Sequence, residues 1–153
     1  MHRSELAKYF KDNLFLAGLN SVKKEAAIAE LLDTFVREKY IRNRDIVLEM
    51  LHQRETLGST GIGKGVAIPH GRTTAAADVL IAFGKSDQGI DFDAIDGKPV
   101  HLFFMVIAPP NEEGNVYLPI LGSLVTILNE KANRDKLMKV DTFQDFIAII
   151  TGE

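Results

Sequence analysis

The nine residues Val100–Ala108 read VHLFFMVIA, with a single polar position in an apolar run. Successive Cβ atoms of a strand point to opposite sides of its sheet, so a strand with one wet face alternates apolar and polar residues. This run does not alternate, and it predicts a central strand covered on both faces. Asp78–Phe83, DVLIAF, predicts a second strand of the same kind. Between them Ser86–Pro99 reads as a loop-rich crossing, with short strand character at Ile90–Phe92. Pro109-Pro110-Asn111 then ends the later strand abruptly.

Helical patterns lie on either side of this pair. Ser4–Lys11 reads as a short helix with Leu6, Tyr9 and Phe10 apolar, and Asn13–Ala17 as a strand. Asn20 or Ser21 is placed to cap a helix whose Ile28, Leu31, Leu32, Phe35 and Val36 recur at three- and four-residue spacing. Its other face, Glu30, Asp33, Arg37 and Glu38, reads as solvated. Asn43 caps a second helix with Ile46, Val47, Met50 and Leu51 turned inward. Beyond the strands, Asn115 caps a helix over Val116–Asn129, with Pro119 near its first turn, where proline is tolerated. A short helix from Asn133 or Asp135 to Met138 and a last one from Asp141 to about Ile150 complete the chain. The alternation predicts an α/β sandwich, a central mixed sheet flanked by helices on both faces, with residues 1–153 as one domain.

Composition narrows the function. Hydrophobic residues make up 46% and charged residues 25%, ordinary for a soluble globular chain. The net charge of -3 and the lack of a basic run give no electrostatic case for nucleic acid. With no cysteine, disulfides and thiolate metal sites are excluded. Met1-His2-Arg3-Ser4-Glu5 lacks the apolar core of a signal peptide, and no run approaches the roughly 18 residues of a membrane helix. A cytoplasmic protein without membrane insertion is expected.

The chemistry concentrates in His52–Gly71, HQRETLGSTGIGKGVAIPHG. Its glycines permit tight folding, since only Gly visits positive φ without a steric penalty. Pro69 fixes its own φ and biases Ile68 to an extended conformation, so a strand over Val66–Ile68 should end in a stiff corner that presents His70. Gly58–Lys64 matches the first seven positions of a phosphate-binding loop, but the eighth, which should be Ser or Thr, is Gly65. That loop would also follow a strand and open a helix, and this one does the reverse. His70 is the candidate nucleophile, because a neutral imidazole attacks phosphorus readily near cellular pH. Arg54, at the end of the second helix, suits the fork-like gripping of phosphate oxygens, although the helix dipole alone also favours a cation there. Glu55 holds Arg54 or faces water. Ser59 and Thr60 either add hydrogen bonds to a phosphoryl group or cap the loop. Amides of Gly58–Gly65 and the helix start after Asn115 are further candidate anion donors. His52 reads as a surface residue and His101 as a strand-end residue. The four histidines are dispersed without carboxylates at ligand spacing, so neither metal nor cofactor is expected.

The run Glu55–Gly71, ending in Val66-Ala67-Ile68-Pro69-His70-Gly71, resembles the signature of fructose/mannitol-type enzyme IIA domains of the bacterial phosphoenolpyruvate:sugar phosphotransferase system. Ile90-Asp91-Phe92-Asp93-Ala94-Ile95-Asp96-Gly97, with Pro99-Val100, is similar to the nitrogen-regulatory branch of that family, and the resemblance runs from about Leu14 to Ile150. It implies that His70 accepts a phosphoryl group from a small histidine phosphocarrier protein and that Arg54 contacts that group. In the sugar branch the phosphoryl group passes to a IIB domain; in the nitrogen branch the phosphorylation state controls target proteins. The family commonly places a second active-site histidine, followed by Leu, at the helix after the proline-containing loop. Here that place is Tyr117-Leu118. A phenol donates a hydrogen bond but is neutral, with a pKa near 10, so onward transfer is weakened more than acceptance. Three readings follow: a free-standing nitrogen-type switch, favoured by the absence of a fused IIB or membrane segment; a sugar-specific transfer component; and a non-catalytic binding module on the same fold. Whether the protein counts as a phosphotransferase turns on onward transfer.

Overall fold

In the computed structural model, which describes residues 1–153, the chain runs through α1 (Arg3–Leu6), a 3-10 turn (Ala7–Tyr9), β1 (Phe10–Leu16), α2 (Lys24–Arg37) and α3 (Arg44–Thr56). Three short strands follow, β2 (Gly61–Gly63), β3 (Val66–Ala67) and β4 (His70–Arg72). Then come β5 (Leu80–Ile90), β6 (Val100–Ala108), α4 (Tyr117–Asn129), α5 (Lys131–Leu137) and α6 (Phe143–Thr151). The strands form one mixed sheet in the order β1-β5-β6-β3-β2, with β4 paired to β6 beyond the end of β3. β5 and β6 are antiparallel, while β1 on β5, and β3 and β4 on β6, are parallel.

β6 bears out the reading of its sequence. Leu102, Phe104, Val106 and Ala108 face a core built with α1, α4 and α6, and Val100, Phe103, Met105 and Ile107 face a second core under α2 and α3. The alternation of faces is present, but both faces are dry, so the sequence shows no polar half. Phe146 of α6 stacks into Phe10, Phe83 and Phe104 at centroid distances of 5.0, 4.5 and 6.2 Å. The predicted α/β architecture, a central mixed sheet with helices on both faces, is what forms.

Several boundaries differ from expectation, each for a local reason. The first helix stops at Leu6 and the strand begins at Phe10, because the Phe10 ring is drawn into the Phe146 and Phe104 cluster. Neither Asn20 nor Ser21 caps α2; its N-cap is Lys23, without a side-chain bond. The amides of Asn20 and Ser21 and the Ser21 hydroxyl instead donate to the Glu30 carboxylate, and Asp33 pairs with Arg44 at 2.6 Å. Glu38 accepts from Asn13 Nδ2 at 2.9 Å, so three residues of the supposedly solvated face carry contacts. Asn43 does cap α3, accepting from the Ile46 amide. Ile46 itself is exposed, since α3 lies on the sheet through Val47 and Leu51, and one residue back is a turn of about 100° away.

β5 extends to Ile90, through residues that read as loop. Its polar Lys85 is buried but satisfied, the ammonium donating to the Met138 and Val140 carbonyls at 3.0 and 2.7 Å. α4 begins one residue late, and Asn115, with φ of 47°, does not cap it. Glu112 performs that role, its carboxylate accepting from the Tyr117 amide at 3.1 Å. Within this helix Leu118 and Val125 are exposed. α5 starts at Lys131, and Thr142 rather than Asp141 caps α6. No helix is long and apolar enough to cross a membrane.

Candidate functional site

His70 sits in β4 rather than on a free corner. Pro69 interrupts the ladder, because it has no N–H to give, and splits one line of chain into β3 and β4, both parallel to β6. The Pro69 carbonyl still accepts from the Val106 amide at 2.9 Å, so the break is stiff. Since β4 pairs only with β6, its outer edge is open.

The register of β4 sorts its three side chains. His70 and Arg72 lie beside Val106 and Ala108, on the face shared with α4, and Gly71 lies beside Ile107, on the face shared with α3. A Cβ on Gly71 would run into the Met50 thioether of α3, which packs over this glycine. Arg54, in the last turn of α3, borders the same cleft. The cleft is shallow, about 370 Å³, and is lined by Met50, Arg54, Leu57, His70, Arg72 and Tyr117.

The His70 ring is half-buried, and its Nδ1 lies 2.7 Å from the Ile68 carbonyl oxygen. A carbonyl only accepts, so Nδ1 carries the proton and Nε2 holds the free lone pair. The Tyr117 ring stands 6.2 Å from the His70 ring, centroid to centroid. Burial pushes the Tyr117 hydroxyl up to about 12, against the opposing pull of Arg72 and Arg54, so this residue is a neutral phenol at every physiological pH. Arg54 donates through Nη1 to the Gly58 carbonyl at 2.8 Å, which holds its guanidinium at the end of α3.

The Gly-rich loop has a different use from the one its sequence invites. Glu55 does not hold Arg54. Its carboxylate accepts from the Thr60 amide and hydroxyl at 3.0 and 2.5 Å and pairs with Lys24 at 3.0 Å, with its side chain 7% exposed. Ser59 donates to the Phe92 carbonyl and accepts from the Gly61 amide, and the Lys64 amide is taken by Asp96. With these amides engaged, the loop forms the β2–β3 hairpin and offers no anion cradle. Ser59 and Thr60 do not line the cleft. The N-terminus of α4 is likewise closed to an outside anion, because Glu112 already occupies it.

Two further corrections concern histidine and arginine. His52 is half-buried, and its Nε2 is enclosed without a hydrogen-bond partner. Arg72, which the sequence reading passed over, lies with its guanidinium carbon 4.4 Å from the centre of the Tyr117 ring. His101 remains a strand residue, bonded through Nδ1 to the Ser86 carbonyl at 2.8 Å. The largest cleft, about 700 Å³ and lined by Lys8, Tyr40, Asp78 and Glu112, lies apart from His70.

Residues 5–152 match the family described as phosphoenolpyruvate-dependent sugar phosphotransferase system, EIIA 2. The fructose-specific EIIA component of the phosphotransferase system from Haloferax volcanii is 41% identical over 128 residues, 82% of each chain. The crystal structure of nitrogen regulatory protein IIA-Ntr from Neisseria meningitidis superposes with a TM-score of 0.87 at 33% identity, over 96% of this chain and 99% of that one. At 20% identity, the mannitol enzyme IIA of Escherichia coli, solved in complex with phosphorylated enzyme IIB, shares the fold, with a TM-score of 0.78 over 94% of this chain and 99% of that one.

Proposed function

From the premise that this chain belongs to the phosphoenolpyruvate-dependent sugar phosphotransferase system EIIA 2 family, we propose that it accepts a phosphoryl group on His70 Nε2 from a histidine phosphocarrier protein. It then acts as a nitrogen-regulatory-type switch on target proteins. Residues 1–153 work as one EIIA domain, in the cytoplasm. The observation that carries this reading is the hydrogen bond from His70 Nδ1 to the Ile68 carbonyl, which leaves Nε2 as a fixed nucleophile at an open strand edge. In the transfer, the bond from phosphorus to the donor imidazole breaks as the bond to Nε2 forms, and the donor nitrogen keeps the electron pair. The His70 ring gains positive charge, which the Ile68 carbonyl stabilises through Nδ1–H. Little acid–base work is required, and the protein's part is positioning and charge on the phosphoryl oxygens, which Arg54 supplies.

The neutral Tyr117 brings no charge of its own to the α4 side of the cleft, and this supports the switch reading over onward transfer. The sugar-specific reading, with transfer to a IIB domain, is supported by the 41% identity to a fructose-specific component. The test is incubation with phosphoenolpyruvate, enzyme I and a phosphocarrier, followed by mass measurement and acid treatment. One acid-labile phosphoryl group is expected, absent from His70→Ala and acquired roughly 10²-fold more slowly by Arg54→Ala. No incorporation, with a control IIA phosphorylated in the same mixture, refutes the proposal and leaves a binding module. Transfer from the labelled protein to a IIB domain decides for the sugar branch.

A further inference from the structure

Arg72 follows His70 by two residues on one short strand, so both side chains leave β4 on the same face. Its guanidinium lies over the Tyr117 ring at 4.4 Å, and the His70 ring stands beside that same ring at 6.2 Å. Three acceptors fix the group through one nitrogen: Nη1 donates to the carbonyls of Pro109 and Pro110 at 3.3 and 3.2 Å and to Glu112 Oε2 at 2.5 Å. Glu112 is itself pinned, with its side chain 6% exposed and its other oxygen on the Tyr117 amide. The hydrogen bonds of Arg72 all run through Nη1, so Nε–H and both Nη2 hydrogens retain their donor capacity in a half-exposed group on the wall of the His70 cleft. Nε and Nη2 together form one edge of the planar fork that matches two phosphate oxygens.

We infer that Arg72, stacked on Tyr117 and latched by Glu112, is a second phosphoryl-gripping residue, which supplies on the α4 side of His70 the positive charge that Tyr117 lacks. Arg54 and Arg72 then bracket the phosphoryl group, one from the end of α3 and one from β4. No bond to Arg72 forms or breaks; the transfer is the His70 step above, with the phosphoryl charge divided between two guanidinium groups. Tyr117 and Glu112 are positioning residues, acting through Arg72. The inference rests on phosphorylation of His70.

The test compares wild type with Arg72→Gln, which keeps an amide donor on a shorter side chain without the charge, and with Arg72→Lys, which keeps charge without the fork. The probe is a phosphocarrier charged by phosphoenolpyruvate and enzyme I, and three quantities are read: acceptance rate, thermal midpoint and the phosphorus NMR titration of phospho-His70. Arg72→Gln is expected to accept roughly 30–100-fold more slowly, and Arg72→Lys to recover part of that loss. The phosphoryl titration midpoint should rise in Arg72→Gln, because a lost cation no longer favours the dianion. A purely structural role would lower the thermal midpoint and leave that titration in place. Should Arg72→Gln fail to fold, Arg72→Met, an uncharged side chain of similar reach, takes its place in the rate and titration comparison. A wild type that takes no phosphoryl group brings down the function reading and this inference together. A wild type that takes it, with both variants within twofold in rate and unshifted in titration, overturns the inference alone.

Discussion

Glu55→Ala separates a structural carboxylate from a catalytic one. In the folded chain this carboxylate receives the amide and hydroxyl of Thr60 and the ammonium of Lys24, and Thr60 is only 3% exposed. Removing it leaves two buried donors without an acceptor, each costing about 1–3 kcal/mol. Lys24 and Asp93 line an open cleft beside Glu55, so water reaches part of the gap, and the lower half of that range applies. The expected loss is about 2–4 kcal/mol, which for a chain of this size lowers the thermal midpoint by roughly 4–16 °C. Glu55→Gln retains an acceptor for the Thr60 amide and should lose about half as much. Thr60→Val removes one of the two donors, so in the Glu55→Ala background it should cost about 1 kcal/mol less than in the wild type. Calorimetry or a circular-dichroism melt reads the stability, and phosphoryl acceptance is measured at a temperature where every variant is folded. A Glu55→Ala protein that melts within 2 °C, roughly the shift of a single kcal/mol, of wild type yet accepts phosphate far more slowly would refute the assignment of Glu55 to the loop.

Two other perturbations test the frame around His70. Gly71→Ala drives a methyl group into the Met50 thioether, a flexible end that can swing aside; it should cost about 1 kcal/mol and slow phosphoryl acceptance only modestly, and Met50→Ala in the same chain should restore part of both. Wild-type stability and acceptance at Gly71→Ala would show that α3 does not depend on this contact. In acid, Glu112 and Asp96 both titrate below the ordinary carboxylate range, Glu112 because of the Tyr117 amide and then Arg72, Asp96 because of the Lys98 and Lys64 amides. Their folded values lie below the unfolded ones, so their stabilisation is complete above about pH 5 and is lost as pH falls through the folded values. Glu112→Gln should therefore melt below wild type at neutral pH and converge with it in strong acid; a gap that persists unchanged in acid would show that the charge is not the cause.

The sheet was legible because its chemistry is local and repetitive. Val100–Ala108 has no polar face, and only burial on both sides makes that tolerable, so strand and layers followed together. The helix starts were less legible, because sequence neighbours compete for the same amides. Asn20, Ser21 and Asn115 all have the chemistry of a cap, yet the backbone of Asn20 and Ser21 is held by Glu30 from within α2, ahead of the helix start, and Glu112 takes the α4 amide that Asn115 would cap. A charged acceptor bonds more strongly than a neutral one, and the loops were free to deliver it. The Gly-rich loop misled for a related reason. Glycines and hydroxyls look the same whether they await an anion or satisfy one another, and only the positions of Glu55 and Asp96 in space distinguish the two.

Arg72 is the instructive omission. Read from sequence, Pro69 ends a strand, and on that reading the residues after it point in no defined direction. The chain instead resumes the same ladder one residue later, since a proline removes one donor without bending an edge strand away from its neighbour. Once His70-Gly71-Arg72 is treated as a strand, period two alone puts the guanidinium beside the imidazole and the glycine against α3, with no reference to any relative. Tyr117 then follows as the aromatic surface on which an arginine so placed comes to rest, and Glu112 as the carboxylate that keeps it there. The replacement of an expected imidazole by a phenol at position 117 thus need not leave the α4 side of the cleft uncharged. A flat ring holds a cation over its face, where an imidazole would have carried the charge itself.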